Sequence, residues 1–121
     1  HYFPGGKGAN QAVAAAKLGA STALIGRLGM DAFGQQLRQF LNLQGVDLAL
    51  VKDAADIHTG TAVITIADAD NTIVVVPGAN ALVSAEDVAA PVLANGDVAV
   101  SQFEIPLPAI AALPRMPSTC A

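Results

Sequence analysis

Three glycines and a lysine stand directly in front of an alanine-rich stretch, in the sequence FPGGKGANQAVAAAKLGA at residues 3–20. Gly5, Gly6 and Gly8 carry no Cβ atom, so the backbone N–H groups there can come close to a ligand. The alanine-rich stretch favours a helix, and the positive end of that helix points at the same place. Residues of these types in this order are suited to holding an oxygen-rich ligand.

Asn10 lies about one turn into the predicted helix, where its amide offers both a donor and acceptors. A sugar hydroxyl is itself a donor and an acceptor, so it pairs well with such an amide. The spacing alone leaves a second interpretation open. In that interpretation the glycines form a tight strand-to-helix turn, and Asn10 satisfies the local backbone.

Two better known phosphate-binding loops do not match this stretch. A Walker A loop requires Ser or Thr after its Gly-Lys pair, but Gly8 follows Lys7, and His1 stands where its first glycine would be. The dinucleotide-binding loop requires a third glycine at the position of Gln11. Neither motif is present.

Other polar residues are weaker candidates for chemistry. Asp31 matches the N-cap of a second helix. His58 has no second histidine within metal-ligand spacing, so we expect a structural or surface residue. Arg27 and Lys17 are expected to be solvated. Cys120 is the single cysteine, which excludes an intramolecular disulfide, favours a cytoplasmic location and leaves Cys120 without an assigned role.

Periodicity and turn residues predict helices that alternate with apolar strands. Helices are predicted over 9–18, from Asp31 to Gly45 with Phe33, Leu37, Phe40 and Leu41 on its buried face, over 85–94 behind a Ser84–Asp87 capping box, and from Pro106 onward. Strands are predicted over 22–28, 46–52, 61–66, 72–76 and 97–103, with the third and fourth joined into a hairpin by a turn at 68–71. This order indicates an α/β layered fold with a largely parallel sheet.

The composition limits the partners. The 121 residues suit one domain or part of one, and because the chain begins at His1 in what reads as mid-element, we expect a piece of a longer protein. A net charge of −4 with six scattered Lys and Arg argues against nucleic acid. No apolar run approaches the roughly 18 residues of a membrane span. Residues 114–121 read as an irregular tail.

Five segments, in this order and spacing, resemble the ribokinase family of sugar kinases. They are GGKGANQAVAAAKLGA (5–20), IGRLGMDAFGQQL (25–37), TGTAVITI (59–66), VPGAN (76–80) and SQFEIP (101–106). The resemblance covers residues 1 to about 113. It implies a three-layer α/β/α fold with a largely parallel sheet and a small β lid, of which residues 1–121 hold an incomplete part.

The resemblance also implies a site. The residues that it places in the sugar pocket are Gly6, Lys7, Gly8, Ala9, Asn10 and Glu104. The hairpin at 60–76 resembles the family's lid, which covers the sugar and often forms a dimer contact, so a homodimer is expected. Asp31 also matches a family acid, although the N-cap is the simpler interpretation.

The resemblance implies a reaction whose machinery is only partly in this sequence. The reaction is ATP-dependent phosphorylation of ribose to ribose 5-phosphate, with Mg²⁺ and a monovalent cation such as K⁺. The catalytic base and the phosphoryl-binding amides come, in the family, from an Asp-Thr-x-Gly-Ala-Gly-Asp type motif that this sequence does not contain. We therefore expect catalytic, nucleotide and metal sites outside this chain, which alone should be inactive. A non-catalytic sugar-binding module, and a kinase for another pentose, a nucleoside or a keto-sugar acid, remain alternatives.

Overall fold

The computed structural model describes residues 1–67, 70–89, 93–94 and 96–113. Within them, helices and strands alternate as expected for an α/β fold. The elements are α1 (Lys7–Lys17), β1 (Gly26–Gly29), α2 (Ala32–Leu43), β2 (Val51–Ala54), β3 (Thr61–Ala67), β4 (Asp70–Val76), a 3₁₀ helix (Gly78–Leu82), α3 (Ala85–Ala89) and α4 (Leu107–Ala111).

β1 and β2 form a two-stranded parallel sheet, with α2 as the connection between them. An isolated parallel bridge joins Ala23 to Asp47 ahead of the ladder that pairs residues 26–29 with residues 51–54. The strands predicted over 22–28 and 46–52 therefore pair with each other, but not without interruption. The N–H of Val51 donates to the carbonyl of Leu48 at 3.0 Å, and this turn takes up one residue between the bridge and the ladder.

One hydrophobic core packs α1 and α2 against one side of this sheet. Its buried members are Ala12, Leu28, Leu41, Val46, Leu48 and Val51. Leu37 and Phe40 pack against them as the helical periodicity predicts. The prediction for Phe33 is wrong: this side chain is 38% exposed and packs at the first turn of α2 against the ring of Tyr2, with 5.1 Å between ring centroids.

A second core packs α3 and α4 against the other side of the sheet. Val83, Val88 and Ala109 are its buried members, and Ile25 packs against them from the segment that leads into β1. The preceding residue, Leu24, packs against the first core. Since neighbouring side chains of an extended chain point to opposite faces, this alternation shows a sheet covered on both sides. The three-layer α/β/α arrangement is the one expected.

The side of the sheet that faces α3 carries a network of charges that the sequence analysis missed. Arg27 and Lys52 are partners in the parallel ladder, and both bind Asp87 of α3. Arg27 donates two hydrogen bonds of 2.8 and 3.1 Å to the carboxylate, and the Lys52 Nζ atom lies 2.7 Å from it. The expectation of a solvated Arg27 is therefore wrong, because the arginine points under α3 to a carboxylate that is 1% exposed.

Asp87 also accepts a hydrogen bond of 3.0 Å from the backbone N–H of Ser84. This is one half of the predicted capping box, and α3 begins at Ala85 as predicted. The Arg27 guanidinium, followed by Lys52 and the Ser84 amide, holds the pKa of Asp87 well below its usual range against the opposing effect of burial. One carboxylate thus starts α3 and attaches it to both strands.

β3 and β4 form the predicted antiparallel hairpin, in a register that pairs Thr61 with Val76 and Ala67 with Asp70. All of their residues are exposed. Alternation along the strands gives the hairpin two apolar faces. One face carries Val63, Val74 and Val76, and the other carries Ile64, Ile66, Ile73 and Val75. Residues 68 and 69 of the predicted turn lie outside the described part.

The prediction of a buried strand over 97–103 is wrong. These residues belong to neither sheet, and Val98 and Val100 are 82% and 66% exposed. A parallel strand requires a neighbour to take its backbone N–H and C=O groups, and no described segment pairs with this one. The prediction rested on the apolar composition of the segment, which does not show whether a strand lies beside it.

The remaining helix predictions agree in part with the structure. The predicted helix over 85–94 is helical at residues 85–89, residues 90–92 lie outside the described part, and residues 93–94 are not helical. α4 follows Pro106 as predicted, with a second proline, Pro108, in its first turn. Over the described residues, no helix has both the length and the apolar character that crossing a membrane requires.

Replacing Asp87 with Asn should lower the free energy of unfolding by about 2–3 kcal/mol at pH 7, measured by urea denaturation. Removing one partner of a buried ion pair costs roughly 3–5 kcal/mol, and this is reduced because Arg27 and Lys52 can regain water. Because the pKa of Asp87 is lowered on folding, the difference from wild type should persist down to about pH 4 and narrow below it.

Asp53→Asn is the matched control, since Asp53 pairs with Arg38 at the surface and is 62% exposed. An exposed pair contributes about 0–1 kcal/mol. Equal losses for the two variants would contradict the structural role given to Asp87.

Candidate functional site

The glycine-rich stretch ends at the N-terminus of α1. The helix begins at Lys7, two residues earlier than predicted, and Gly6 is its N-cap with φ 92° and ψ 133°. A residue with a Cβ atom would be strained in this backbone conformation, so glycine is required here. No side chain at the N-cap accepts from the first-turn amides. These amides are left to face other groups.

A carboxylate from the far end of the chain takes the place of the missing cap. Glu104 Oε2 accepts a hydrogen bond of 3.0 Å from the backbone N–H of Lys7, although the two residues are 97 positions apart. The Lys7 Nζ atom lies 3.3 Å from Glu104 Oε1. A negative charge is favourable at a helix N-terminus because the backbone dipoles place positive charge there. Glu104 therefore lies directly at the mouth of the glycine-rich loop.

The next two amides of the helix remain available. Among the described residues, the N–H groups of Gly8 and Ala9 have no hydrogen-bond partner. They follow Lys7 in the first turn, where the amides of a helix point outward along its axis. A ligand placed beside Glu104 would meet these two donors as well.

Asn10 presents an unused amide on the same helix. Its backbone N–H closes the first helical turn on the carbonyl of Gly6 at 2.9 Å. Its side chain is exposed and makes no hydrogen bond within the described residues. Lys7 and Asn10 are separated by three residues and so are neighbours on the helix surface. Within the described residues, the amide of Asn10 does not satisfy the local backbone.

A second polar contact joins α1 to the segment that carries Glu104. Gln102 Nε2 donates to Gln11 Oε1 at 3.1 Å. The two contacts, Lys7 with Glu104 and Gln11 with Gln102, run in opposite directions along the two segments. Sequence analysis did not single out either glutamine, since a lone side-chain amide gives no signal of its own, whether on a helix like Gln11 or in an irregular segment like Gln102.

The base of the hairpin is attached to the sheet through Asp31 and Thr59. Asp31 is the N-cap of α2 as predicted, because its Oδ1 accepts from the N–H of Gly34 at 2.8 Å. The hydroxyl of Thr59 donates to the same oxygen at 2.7 Å, and the N–H of Thr59 donates to Oδ2 at 2.8 Å. The Thr59 hydroxyl in turn accepts from the N–H of Gly29 at the end of β1. One buried threonine thus connects β1, α2 and the start of β3.

These hydrogen bonds set the charge state of Asp31. The Gly34 amide, the Thr59 hydroxyl and the Thr59 amide lower the pKa of Asp31 to about 2. His58 lies beside it, with Nδ1 3.5 Å from Asp31 Oδ2, and its side chain is 94% exposed. His58 is therefore a surface residue, as expected.

The other strand of the hairpin is held close to the same point. The N–H of Ala79 donates to the carbonyl of His58 at 2.8 Å. Gly78 has φ 51°, and a Cβ atom there would collide with the carbonyl of His58. Glycine is needed because the two backbones meet without room for a side chain. The two ends of the hairpin are thus held close together by hydrogen bonds where they join the rest of the protein.

Comparison with known proteins identifies a family and several similar proteins for this chain. The family pattern of the pfkB family carbohydrate kinases matches residues 1–111. The chain belongs to this family. The ribokinase of Staphylococcus aureus (strain COL) is 40% identical over 111 residues, which cover 89% of this chain and 36% of that protein.

Solved structures agree with this pfkB family assignment. The crystal structure of Sa239 superposes with a TM-score of 0.80 at 36% identity, and covers 91% of this chain and 37% of that one. The structure of Arabidopsis thaliana ribokinase complexed with ribose and ATP superposes with a TM-score of 0.63 at 38% identity, over 70% of this chain and 31% of that one. The predicted ribokinase-like fold is confirmed. This chain spans about a third of the length of these relatives.

Surface hollows elsewhere in this pfkB family chain do not include the predicted pocket. One of about 360 Å³ lies over α2 between Gln35 and Leu43, and one of about 240 Å³ lies between Met30 and His58. Neither hollow is lined by Lys7, Asn10 or Glu104. In the described part of the chain, no group of three or more His, Cys, Asp or Glu could hold a metal ion.

The structure brings together some of the predicted site residues. Gly6, Lys7, Gly8 and Ala9 form the start of α1, Glu104 binds Lys7, and Asn10 follows one turn later without a direct contact to Glu104. Their joint role in holding a sugar remains a prediction. Cys120 and the predicted tail at 114–121 lie outside the described residues.

Replacing Asp31 with Ala should destabilise the protein by about 2–3 kcal/mol at pH 7. Loss of an N-cap costs about 1 kcal/mol, and the charge-assisted hydrogen bonds from Thr59 add about as much again. Since the pKa of Asp31 falls on folding to about 2, this contribution is complete above about pH 4 and is lost as the pH falls through 2. Urea denaturation at pH 7 and pH 3 measures both effects.

Asp56→Ala is the control, because Asp56 is an exposed acid on the same stretch of chain. Its replacement should change stability by less than about 0.5 kcal/mol. A wild-type-like Asp31→Ala variant would show that the hairpin base does not depend on this carboxylate.

Proposed function

We propose that this chain forms the sugar pocket and lid of an ATP-dependent kinase that phosphorylates ribose to ribose 5-phosphate. The observation that carries the proposal is the meeting of Glu104 with Lys7 at the start of α1, beside the amides of Gly8 and Ala9. Membership of the pfkB family and the similarity to ribokinases support the same conclusion.

The donors and acceptors at this place suit a neutral polyol. Glu104 accepts hydrogen bonds from sugar hydroxyls, the amides of Gly8 and Ala9 donate to hydroxyl oxygens, and Asn10 does both. Glu104, paired with Lys7, already fills the place where a helix N-terminus favours an anion, so an anionic sugar would gain nothing there from the helix dipole. The proposal therefore prefers ribose over a keto-sugar acid.

The hairpin supplies the lid in this proposal. Its two apolar faces are exposed, and a lid that closes over a sugar needs one of them to exclude water from the reacting centre. The opposite face is then available for a second copy of the chain, so we propose a homodimer formed through the hairpin. A cytoplasmic location accords with the single cysteine.

The phosphoryl donor and the cations are proposed to bind outside this chain. The donor is ATP, and Mg²⁺ and K⁺ would neutralise charge on its phosphates when they are bound. The described residues offer no metal-ligand cluster that fits either cation. The sequence also lacks the family's Asp-Thr-x-Gly-Ala-Gly-Asp type motif, so this chain should hold the sugar without catalysing its phosphorylation.

A chimera tests the reaction and the substrate. Residues 1–111 replace the matching segment of the Staphylococcus aureus ribokinase, and ATP turnover is measured with ribose, adenosine and fructose. The chimera should prefer ribose, and the 121-residue chain alone should show no turnover. A preference for adenosine or fructose would reject the ribose assignment. Turnover by the 121-residue chain alone would reject the proposal that the catalytic and nucleotide sites lie outside it.

In the same chimera, Asn10→Ala should raise the KM for ribose by about 2- to 12-fold for each lost hydrogen bond of roughly 0.5–1.5 kcal/mol. The KM for ATP should not change. Asn42→Ala is the matched control, because Asn42 is an exposed asparagine on α2. Equal increases of both KM values would point to a folding defect and away from a sugar contact.

The roles proposed for the two faces of the hairpin can be tested separately by placing one charge on each face. Ile73→Lys alters one face and Val74→Lys the other, and both positions are similarly exposed, at 52% and 57%. We expect one variant to sediment as a monomer with its KM for ribose little changed, and the other to remain a dimer with a raised KM. Two dimeric variants with unchanged kinetics would contradict the lid and the dimer alike.

A further inference from the structure

Glu104 lies in a segment that the sheet does not hold. Within the described part of the chain, residues 98–105 make no backbone–backbone hydrogen bond to any other element, and they pair with no strand. The carboxylate nevertheless lies within hydrogen-bond distance of the Lys7 amide. Side chains must therefore determine where this segment lies.

The segment around Glu104 is held by one apolar contact on its C-terminal side and one hydrogen bond on its N-terminal side. On its C-terminal side, Ile105 packs against the second core and leads into α4. On its N-terminal side, the next residue, Phe103, is 84% exposed and belongs to neither core among the described residues. The attachment on that side is the hydrogen bond of 3.1 Å from Gln102 Nε2 to Gln11 Oε1.

The positions of the two contacts on α1 make them mutually dependent. Lys7 and Gln11 are separated by four residues, so their side chains are neighbours on one face, about 6 Å apart along the helix axis. Gln102 and Glu104 contact this face in the reverse order. Releasing Gln102 removes the contact that fixes the segment's position along α1, and with it the placement of Glu104.

We propose that Gln11 and Gln102 are positioning residues for the sugar site, whose amide pair holds the Glu104 carboxylate at the start of α1. The part of this proposal that concerns the sugar rests on the proposed function, but the part that concerns Glu104 does not. The glutamines do not touch the sugar. Because the pair is exposed, its loss should displace Glu104 while leaving the two cores intact.

The first measurement needs no sugar. Exchange of the Lys7 amide hydrogen reports the hydrogen bond to Glu104 directly, and can be followed by NMR in the 121-residue chain. Gln11→Ala and Gln102→Ala should each speed this exchange by about 3- to 10-fold, in line with the loss of one hydrogen bond. The double variant should exchange no faster than either single variant, since both remove the same contact.

The second measurement is kinetic and uses the chimera with the Staphylococcus aureus ribokinase. Each single variant should raise the KM for ribose by about 3- to 10-fold, with the KM for ATP and the melting temperature unchanged. Gln36→Ala, at an exposed glutamine on α2, is the matched control and should change none of these quantities.

A compensating pair tests whether the contact itself matters. Gln11→Glu combined with Gln102→Lys exchanges the amide pair for an ion pair in the same place, and should return both the Lys7 exchange rate and the KM for ribose to within about 2-fold of wild type. Failure of this rescue, with both single variants impaired, would overturn the assignment of the effect to the pair.

The outcomes separate the positioning role from the proposed function. Unchanged Lys7 exchange in Gln102→Ala overturns the positioning role, whatever the chimera does. A parent chimera that is inactive on ribose overturns the proposed function and leaves the exchange result standing. A fall in melting temperature together with a raised KM for ATP would show a merely structural pair, and this too would overturn the inference.

Discussion

Asp87 is the charge on which the second helical layer depends. Two cations, Arg27 and Lys52, are side by side on one face of the parallel sheet, and without a counter-charge that face would repel an apolar layer. The carboxylate binds both of them and the Ser84 amide at once. Burial is compensated here because every strong acceptor position of the carboxylate is occupied. α3 can then pack on the sheet.

The candidate site follows from that attachment. α3 and α4 share the second core, and Ile105, the residue after Glu104, packs against it. The first core places α1 on the opposite side of the sheet. The start of α1 and the segment at 101–104 therefore meet from two layers that the sheet separates. The candidate site lies where these layers meet.

Local signals in the sequence were enough to predict several of these features. Asp31 as an N-cap, the hairpin of β3 and β4 and the helix behind Gly6 each depend on a few adjacent residues, and the structure has all three. Their bounds differ, because α1 begins two residues before its predicted start and residues 70 and 71 of the predicted turn belong to β4. Only the family resemblance pointed to Glu104 as a site residue, because nothing near it in the sequence predicts a contact with α1.

The errors share a different cause. Whether Arg27 meets water or a carboxylate depends on which helix covers its face of the strand, and its partner Asp87, in the first turn of that helix, is 60 positions away. Likewise, residues 97–103 have the composition of a strand, but a strand also needs a neighbour. The interruption between Leu48 and Val51 is a turn inside an apolar run. That run contains no glycine or proline from which a turn could be predicted. In each case the structure depends on contacts between residues far apart in the sequence, and local sequence patterns carry no information about such contacts.

A carboxylate at a helix N-terminus is the feature that would make the proposed sugar site selective. Phosphate-binding loops leave the first-turn amides and the dipole to an incoming anion. Here Glu104 occupies that position and takes the Lys7 amide, while the amides of Gly8 and Ala9 have no partner among the described residues. With that position already filled, a second anion would gain little from the helix dipole, whereas a hydroxyl can donate to the carboxylate and accept from an amide in the same place. Under the proposed function, the start of α1 therefore suits a neutral acceptor better than a charged phosphoryl donor, because Glu104 already takes the place of an anion there.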